Sequence, residues 1–141
     1  MKIKPLEKKV KSPKVSTLRN KADKLYQELG RLMYNKCYCG GQYYCLHHFH
    51  PKSSSSALRY EIKNGVPVCA GCHLRHHSGS DPKIQFGMRL FMESKFGDNW
   101  EIELLQQRQA NAYIKTNAQY YKTQIEILQG MINACNEERN I

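Results

Sequence analysis

The sequence contains no run of about eighteen apolar residues, so no segment is long enough to span a bilayer as a helix. The first twenty residues also lack an apolar stretch of the length that secretory signal peptides have. Acidic residues are scarce, with 12 Asp and Glu against 22 Lys and Arg, and no internal repeat is present. These absences predict a soluble, cytosolic protein, and 141 residues suffice for one domain with a modest core.

The formal net charge of +10 favours a polyanionic partner, because Lys and Arg that neutralise phosphates release condensed counterions. The charge is uneven along the chain. Residues 1–24 carry nine basic side chains against two acidic ones, whereas residues 81–141 carry seven against eight. Nucleic acid is therefore the expected partner, and the basic end of the chain is N-terminal.

The pattern of residues divides the chain into four segments. Residues 1–15, with two prolines and many lysines, predict a flexible basic arm that follows a phosphate backbone or, alternatively, a solubilising tail. A helix over 16–35 is predicted to start at a Ser16 or Thr17 cap and to end near Tyr34. The segments that follow are a core over 36–96 and a C-terminal helical region over 97–141. The predicted apolar face of the first helix consists of Leu18, Ala22, Leu25, Leu29 and Leu32.

The core segment is predicted to consist of a strand, a long loop, a second strand and a helix. The run "QYYCLHHF" predicts the first strand, "VPVC" the second, and "AGCHLRHH" the helix. Asp81 and Pro82 then predict the start of another helix, which Gly97 ends.

The C-terminal region is predicted to be helical from about Glu101 onward. An apolar seam there needs a facing helix, which either the first helix of the same chain or a second copy in a homodimer can supply. The seam consists of Ile114, Ala118, Tyr121, Ile125, Leu128 and Ile132.

Two short cysteine pairs flank the loop. In a reducing compartment such pairs predict a structural zinc site more readily than disulfides, although they can also pack as small apolar residues. Because the first pair is closely spaced, Cys45 is an alternative ligand. The predicted zinc ligands are Cys37, Cys39, Cys69 and Cys72.

All six histidines lie between His47 and His77. On a helix, His73 and His77 share a face because they are four residues apart, so both can bind one cation. On a strand, the adjacent His47 and His48 point to opposite sides, so one can join that cation while the other faces a substrate. Three nitrogens and an open position are typical of a reactive metal centre. His50 and His76 are not needed in this arrangement.

The motif "LHHFHPKS...NGVPVCAGCHLRHH" resembles that of the HNH, or His-Me finger, endonucleases. By this resemblance His48 corresponds to the general base, His47 to the metal ligand before it, and Asn64 to the central asparagine. His73 then corresponds to the third metal-binding position and His77 to an additional ligand. The flanking segments are similar to those of the phage NinG (Rap) recombination nucleases, with a general HNH nuclease as the alternative.

The resemblance implies an α+β, mainly α fold in which a small, zinc-stapled ββα-metal core lies between N-terminal and C-terminal helices. It implies a DNA endonuclease that uses Mg²⁺ or Mn²⁺ and acts at branched or junction DNA in phage recombination inside the host cell, as an oligomer. Imidazole ligands also suit other divalent ions. His48 would take a proton from water, since imidazole titrates near working pH, and Asn64 would brace the loop.

Four basic residues near the site are predicted to hold DNA phosphates: Lys52, Arg59, Lys63 and Arg75. Two other functions share part of this evidence. A zinc-stabilised nucleic-acid-binding module without catalysis would also explain the charge and the cysteines. An assembly protein would explain only the C-terminal seam.

Overall fold

A computed structural model of the chain describes residues 11–53, 56–78 and 81–140, without the side chains of residues 77 and 78. It is mainly helical, with one two-stranded antiparallel sheet and two short 3₁₀ turns. In these ranges no helix is both long and apolar enough to cross a membrane. The helices are α1 (Val15–Met33), α2 (Ala70–Ser78), α3 (Pro82–Phe96), α4 (Trp100–Ala110) and α5 (Ala118–Arg139), and the strands are β1 (Cys45–His48) and β2 (Gly65–Val68).

The helix α1 starts before the predicted cap. Lys14 occupies the N-cap position without a side-chain hydrogen bond, so the prediction of Ser16 or Thr17 is wrong by two or three residues. The other end agrees, because the helix stops at Met33 and Tyr34 is extended. Of the predicted basic arm, residues 1–10 lie outside the described part of the chain, and residues 11–14 are exposed.

Packing between α1 and α5 forms the larger of two apolar cores. The predicted face of α1 is buried against Tyr121, Leu128 and Ile132, so the C-terminal seam faces a helix of the same chain. A homodimer through these helices stays a prediction.

The seam begins later than predicted. Residues 111–117 interrupt the helix, and Asn117 caps α5 by accepting a hydrogen bond from the Tyr120 amide (3.0 Å). Ile114 therefore lies in the connection and is 38% exposed. A continuous helix from Glu101 is wrong because an asparagine cap competes with helix continuation in a stretch whose side chains are all exposed.

The second core lies between the sheet, α3 and α4. Trp100 is fully buried there, and its Nε1 donates to the carbonyl of Lys63 (2.6 Å). Helix α3 has the predicted ends, with Asp81 accepting from the Lys83 amide and Gly97 at a positive φ of 101°. Described residues on both sides of the loop between β1 and β2 are buried in this core, which anchors them to the helices.

The pairing of the two strands determines where the histidines of β1 lie. Strand β1 pairs antiparallel with β2, with His47 opposite Val66 and His48 opposite Gly65. Helix α2 follows β2 after one residue and packs on α3 and β2. A hairpin followed directly by a helix thus brings the histidines of β1 and α2 together.

Candidate functional site

The four predicted cysteines form one cluster. Their Sγ atoms all lie within 4.8 Å of one another, and those of Cys39 and Cys69 are 3.9 Å apart. A tetrahedral zinc site with Zn–S bonds of about 2.3 Å has sulfur–sulfur edges of about 3.8 Å. All six cysteines of the chain are free thiols, and Cys45 is not part of the group. The cluster could therefore hold one zinc ion, with Cys37 and Cys39 rather than Cys45 as the N-terminal pair.

Backbone amides prepare these thiols for a metal. The amide of Cys39 donates to the Sγ of Cys37, and that of Cys72 donates to the Sγ of Cys69, both at 3.4 Å. The second bond lowers the pKa of Cys69 to about 7, whereas burial raises the pKa of Cys37 to about 12. Because zinc binds cysteine as the thiolate, zinc binding would release the proton that Cys37 retains at neutral pH.

His47 and His48 project from opposite faces of β1, as predicted. The His47 side chain is 7% exposed, and its ring centroid lies 5.8 Å from that of His73 and 3.8 Å from that of His76. The ring of His48 instead stacks on Tyr26 of α1, with centroids 5.1 Å apart and planes 20° from parallel. The strand thus directs one imidazole to α2 and the other to α1.

A backbone carbonyl fixes the tautomer of His48. Its Nε2 lies 2.8 Å from the carbonyl oxygen of Arg59, which can only accept a hydrogen bond. The neutral ring therefore carries its proton on Nε2, and Nδ1 is the atom that can accept a second proton. Burial lowers the pKa of His48, so the ring is neutral near pH 7.

The carbonyl is held in place by the side chain of its own residue. The Arg59 guanidinium makes two hydrogen bonds to Asp23, at 2.9 and 2.7 Å, and Tyr60 donates to the same carboxylate at 2.8 Å. This network ties the loop to α1 beside His48. Arg59 thus contributes to positioning the ring, which the sequence did not indicate.

The structure brings together two of the three imidazoles predicted to hold the catalytic ion, His47 and His73. The side chain of His77 lies outside the described residues. In the described ranges, the four cysteines are the only group of three or more His, Cys, Asp or Glu ligands close enough for one ion. His76, which the sequence left without a role, contacts His47 more closely than His73 does.

Asn64 is fully buried and braces the loop. Its Oδ1 accepts from the amide of His50 (2.9 Å), and its Nδ2 donates to the carbonyls of His50 (3.1 Å) and Leu58 (3.2 Å). The side chain thus bonds to the backbone on both arms of the loop after β1. His50 serves the loop through its backbone, and its ring lies against Phe49.

An open groove of about 1050 Å³ runs past these histidines. Four histidines line the groove, together with Gln27 and Arg31 of α1, which are four residues apart on one helix face. The Gln27 side chain donates to the Leu46 carbonyl (3.1 Å) and accepts from its amide (3.0 Å), as a neighbouring strand would. Sequence reasoning missed both residues, because their pairing with β1 depends on where α1 packs.

The four basic residues predicted to hold phosphates have different surroundings. Lys52 lines the groove. Arg59 is paired with Asp23, the Lys63 ammonium lies 5.8 Å from the ring centroid of Phe96, and Arg75 lies on the exposed side of α2. Lys52 and the unpredicted Arg31 are thus the basic residues of the groove wall.

Comparison of the chain with models of protein families, with curated proteins and with solved structures found no match.

Proposed function

We propose that this protein is a metal-dependent DNA endonuclease of the His-Me finger type, in which β1, β2 and α2 form the ββα-metal core. One observation carries the proposal. His47 and His48 leave β1 in opposite directions, the first toward the histidines of α2 and the second onto a backbone carbonyl that leaves its Nδ1 basic. Phosphodiester hydrolysis can use a metal ion and a separate proton acceptor at one phosphate, and both imidazoles line the same groove.

His48 is the general base. With its Nε2 proton donated to the Arg59 carbonyl, Nδ1 takes a proton from the attacking water. The stack on Tyr26 and the Asp23–Arg59 ion pair beside it restrict the orientation of the ring, which supports this role. Its lowered pKa keeps the base unprotonated at neutral pH. Asn64 takes no part in proton transfer and holds the loop that supplies the carbonyl.

His47, His73 and His77 would hold the divalent ion. Two of these donors support the set, because the buried His47 ring of the strand and the His73 ring of the helix lie near each other and both line the groove. When bound, Mg²⁺ or Mn²⁺ supplies charge stabilisation to the phosphate and to the departing 3′ oxygen. His76 is the alternative third ligand, since its ring contacts His47, but its side chain would have to turn to join His47 and His73 on one ion.

DNA would lie in the groove, with Lys52 and Arg31 against its phosphates, and the basic N-terminal arm would add contacts. The likeness to the NinG recombination nucleases favours branched or junction DNA as the substrate. The zinc cluster holds the segment before β1 to the start of α2, so that both histidine-bearing elements keep their spacing.

The first experiment separates cleavage from binding alone. Zinc-loaded protein is incubated with supercoiled, linear and four-way-junction DNA in Mg²⁺ or Mn²⁺, with a chelator of divalent ions as the control. We expect nicks that require the added ion and leave a 5′ phosphate and a 3′ hydroxyl. Protein that binds these DNAs and never nicks them would instead be the zinc-stabilised binding module, whose evidence is the charge and the cysteines.

The second experiment identifies the ion's ligands. Alanine replaces His47, His73, His76 or His77 one at a time, and each variant is assayed for Mn²⁺ affinity and for cleavage at saturating Mn²⁺. We expect His47→Ala, His73→Ala and His77→Ala to weaken Mn²⁺ binding at unchanged zinc content, and His76→Ala to leave it unchanged. Weak binding by His76→Ala with normal binding by His77→Ala would assign the third ligand to His76.

A further inference from the structure

An exposed aromatic ring stands in the wall of the groove. The Tyr44 side chain is 60% exposed, although the neighbouring Tyr43 packs against the core beside α1. Its backbone is nevertheless held by the sheet, because the Tyr44 amide donates to the carbonyl of Val68 (2.9 Å) just ahead of the first pair of the sheet. A large ring is thus presented to solvent from a hydrogen-bonded segment.

The ring lies beside the proposed reaction centre. Its centroid is 5.9 Å from that of His73, with the planes inclined by 51°. Arg31 and Lys52 line the same groove, and none of its described lining residues is acidic. The groove therefore offers one flat apolar surface together with positive charge, close to the imidazole that we assign to the ion.

These features suit one form of DNA. In a continuous duplex each base is already stacked on its neighbours and presents its edges, not its faces, to a protein. An unpaired base has a free face that can lie on an aromatic ring, while basic residues follow its backbone. An exposed ring beside cations consequently favours single strands, because a duplex must first be unstacked before a base can lie on the ring.

We infer that Tyr44 stacks on an unpaired base next to the cleaved phosphate, so that the groove takes a single-stranded segment of DNA. The inference rests on the proposed function for the position of the cut. Arg31 and Lys52 hold the phosphates on this segment. This narrows the proposed branched substrate to DNA with a gap or a single-stranded overhang, which should bind better than a continuous duplex or a fully paired four-way junction.

The test measures binding without added divalent ions, so it does not depend on cleavage. Zinc-loaded wild type, Tyr44→Phe and Tyr44→Leu are titrated onto single-stranded, gapped, duplex and four-way-junction DNA, and onto single-stranded RNA of the same sequence. A 2-aminopurine placed at successive positions reports stacking through quenching of its fluorescence. Tyr113→Leu is the matched control, because Tyr113 is 98% exposed and lies outside the groove.

We expect Tyr44→Leu to weaken binding of single-stranded and gapped DNA about fivefold or more, since stacking on an aromatic ring contributes that much per base. Tyr44→Phe keeps the ring and should bind like the wild type, as should Tyr113→Leu. Duplex and junction affinities should change less than about twofold, and quenching should be lost with Tyr44→Leu alone.

Equal losses on duplex and single strand, or no loss on either, would overturn the inference. A larger loss on RNA than on DNA would overturn the assignment to DNA. Protein that fails to cut any DNA but shows the expected losses would refute the proposed endonuclease and leave the stacking site standing. Normal cleavage by the wild type, together with unchanged DNA binding by Tyr44→Leu, would refute the stacking site and leave the proposed endonuclease standing.

Discussion

Replacing Asn64 should destabilise the protein more than its size suggests. The side chain is fully buried, and its three hydrogen bonds satisfy the amide and carbonyl of His50 and the carbonyl of Leu58. Asn64→Ala leaves the amide and carbonyl of His50 without partners, whereas the Leu58 carbonyl keeps the hydrogen bond from the Glu61 amide (3.2 Å). Each unsatisfied buried group costs about 1 to 3 kcal/mol, and water reaches part of the loop, so we expect a loss of about 3 kcal/mol. For a chain of 141 residues this corresponds to a melting temperature lower by about 10 °C.

Asn64→Asp distinguishes lost hydrogen bonds from lost volume. It keeps the shape and the acceptor for the His50 amide, but it places a second oxygen against the carbonyls of His50 and Leu58, so that oxygen repels both and the His50 carbonyl loses its donor. We therefore expect it to be at least as unstable as Asn64→Ala at neutral pH. The matched control is Asn133→Ala on the exposed side of α5, which should change stability by less than about 0.5 kcal/mol.

The assay is urea unfolding of the zinc-loaded protein, followed by fluorescence of the one tryptophan, Trp100, which is buried beside the same loop. Equal slopes with a lower midpoint would show that stability alone has changed. An Asn64→Asp midpoint equal to that of the wild type would refute the reasoning, because it would show that the two donated hydrogen bonds contribute nothing.

Three further predictions concern packing, charge and metal. Gly30→Ala should lower stability by about 1 to 3 kcal/mol, because an added Cβ would lie 2.7 Å from the hydroxyl of Tyr43 and overlap β1. The control Gly130→Ala has open space around it and should raise stability by up to about 1 kcal/mol. Equal effects of the two substitutions on thermal unfolding would contradict the packing of α1 on β1. Burial alone would raise the pKa of Asp23, but its hydrogen bonds to Arg59 and Tyr60 hold that pKa below its usual value. The wild type should therefore be more stable than Asp23→Asn at pH 7 and lose that advantage as the pH falls below about 4. A difference in stability that is independent of pH would disprove the role of the ion pair. Stripping zinc with a chelator should lower the melting temperature by about 10 °C or more and release one zinc per chain, and protein that melts unchanged without zinc would show that the cysteine cluster is not a structural metal site.

Much of the architecture follows from local signals in the sequence. Each cysteine pair was predictable as a unit because a short spacing limits how far apart two thiols can be, and the preference of zinc for four thiolates predicted that the two pairs meet. The opposite directions of His47 and His48 were predictable because side chains alternate on any strand. Helix α3 was predictable from a proline after an aspartate at one end and a glycine at the other.

Other features depend on tertiary packing and could not be predicted in this way. The apolar seam of α5 fits any helix with a matching face, and only the fold selects α1. Gln27 and Arg31 enter the groove because α1 lies along the free edge of β1, and a Gln and an Arg on an amphipathic helix otherwise resemble solvated surface residues. The contact between His47 and His76 likewise depends on how α2 is rotated about its axis, which a sequence spacing does not fix.

The proposed reaction depends on one side chain, and a single-turnover measurement with it removed is the most direct test. Wild type and His48→Ala, matched for zinc content and for DNA affinity, are each mixed in excess with end-labelled gapped or junction DNA, and cleavage is started with Mn²⁺. Loss of a general base should slow the cleavage step by about a hundredfold or more while leaving DNA affinity within about twofold. Cleavage by His48→Ala at the wild-type rate would contradict the assignment of the general base and, with it, the mechanism proposed for this groove.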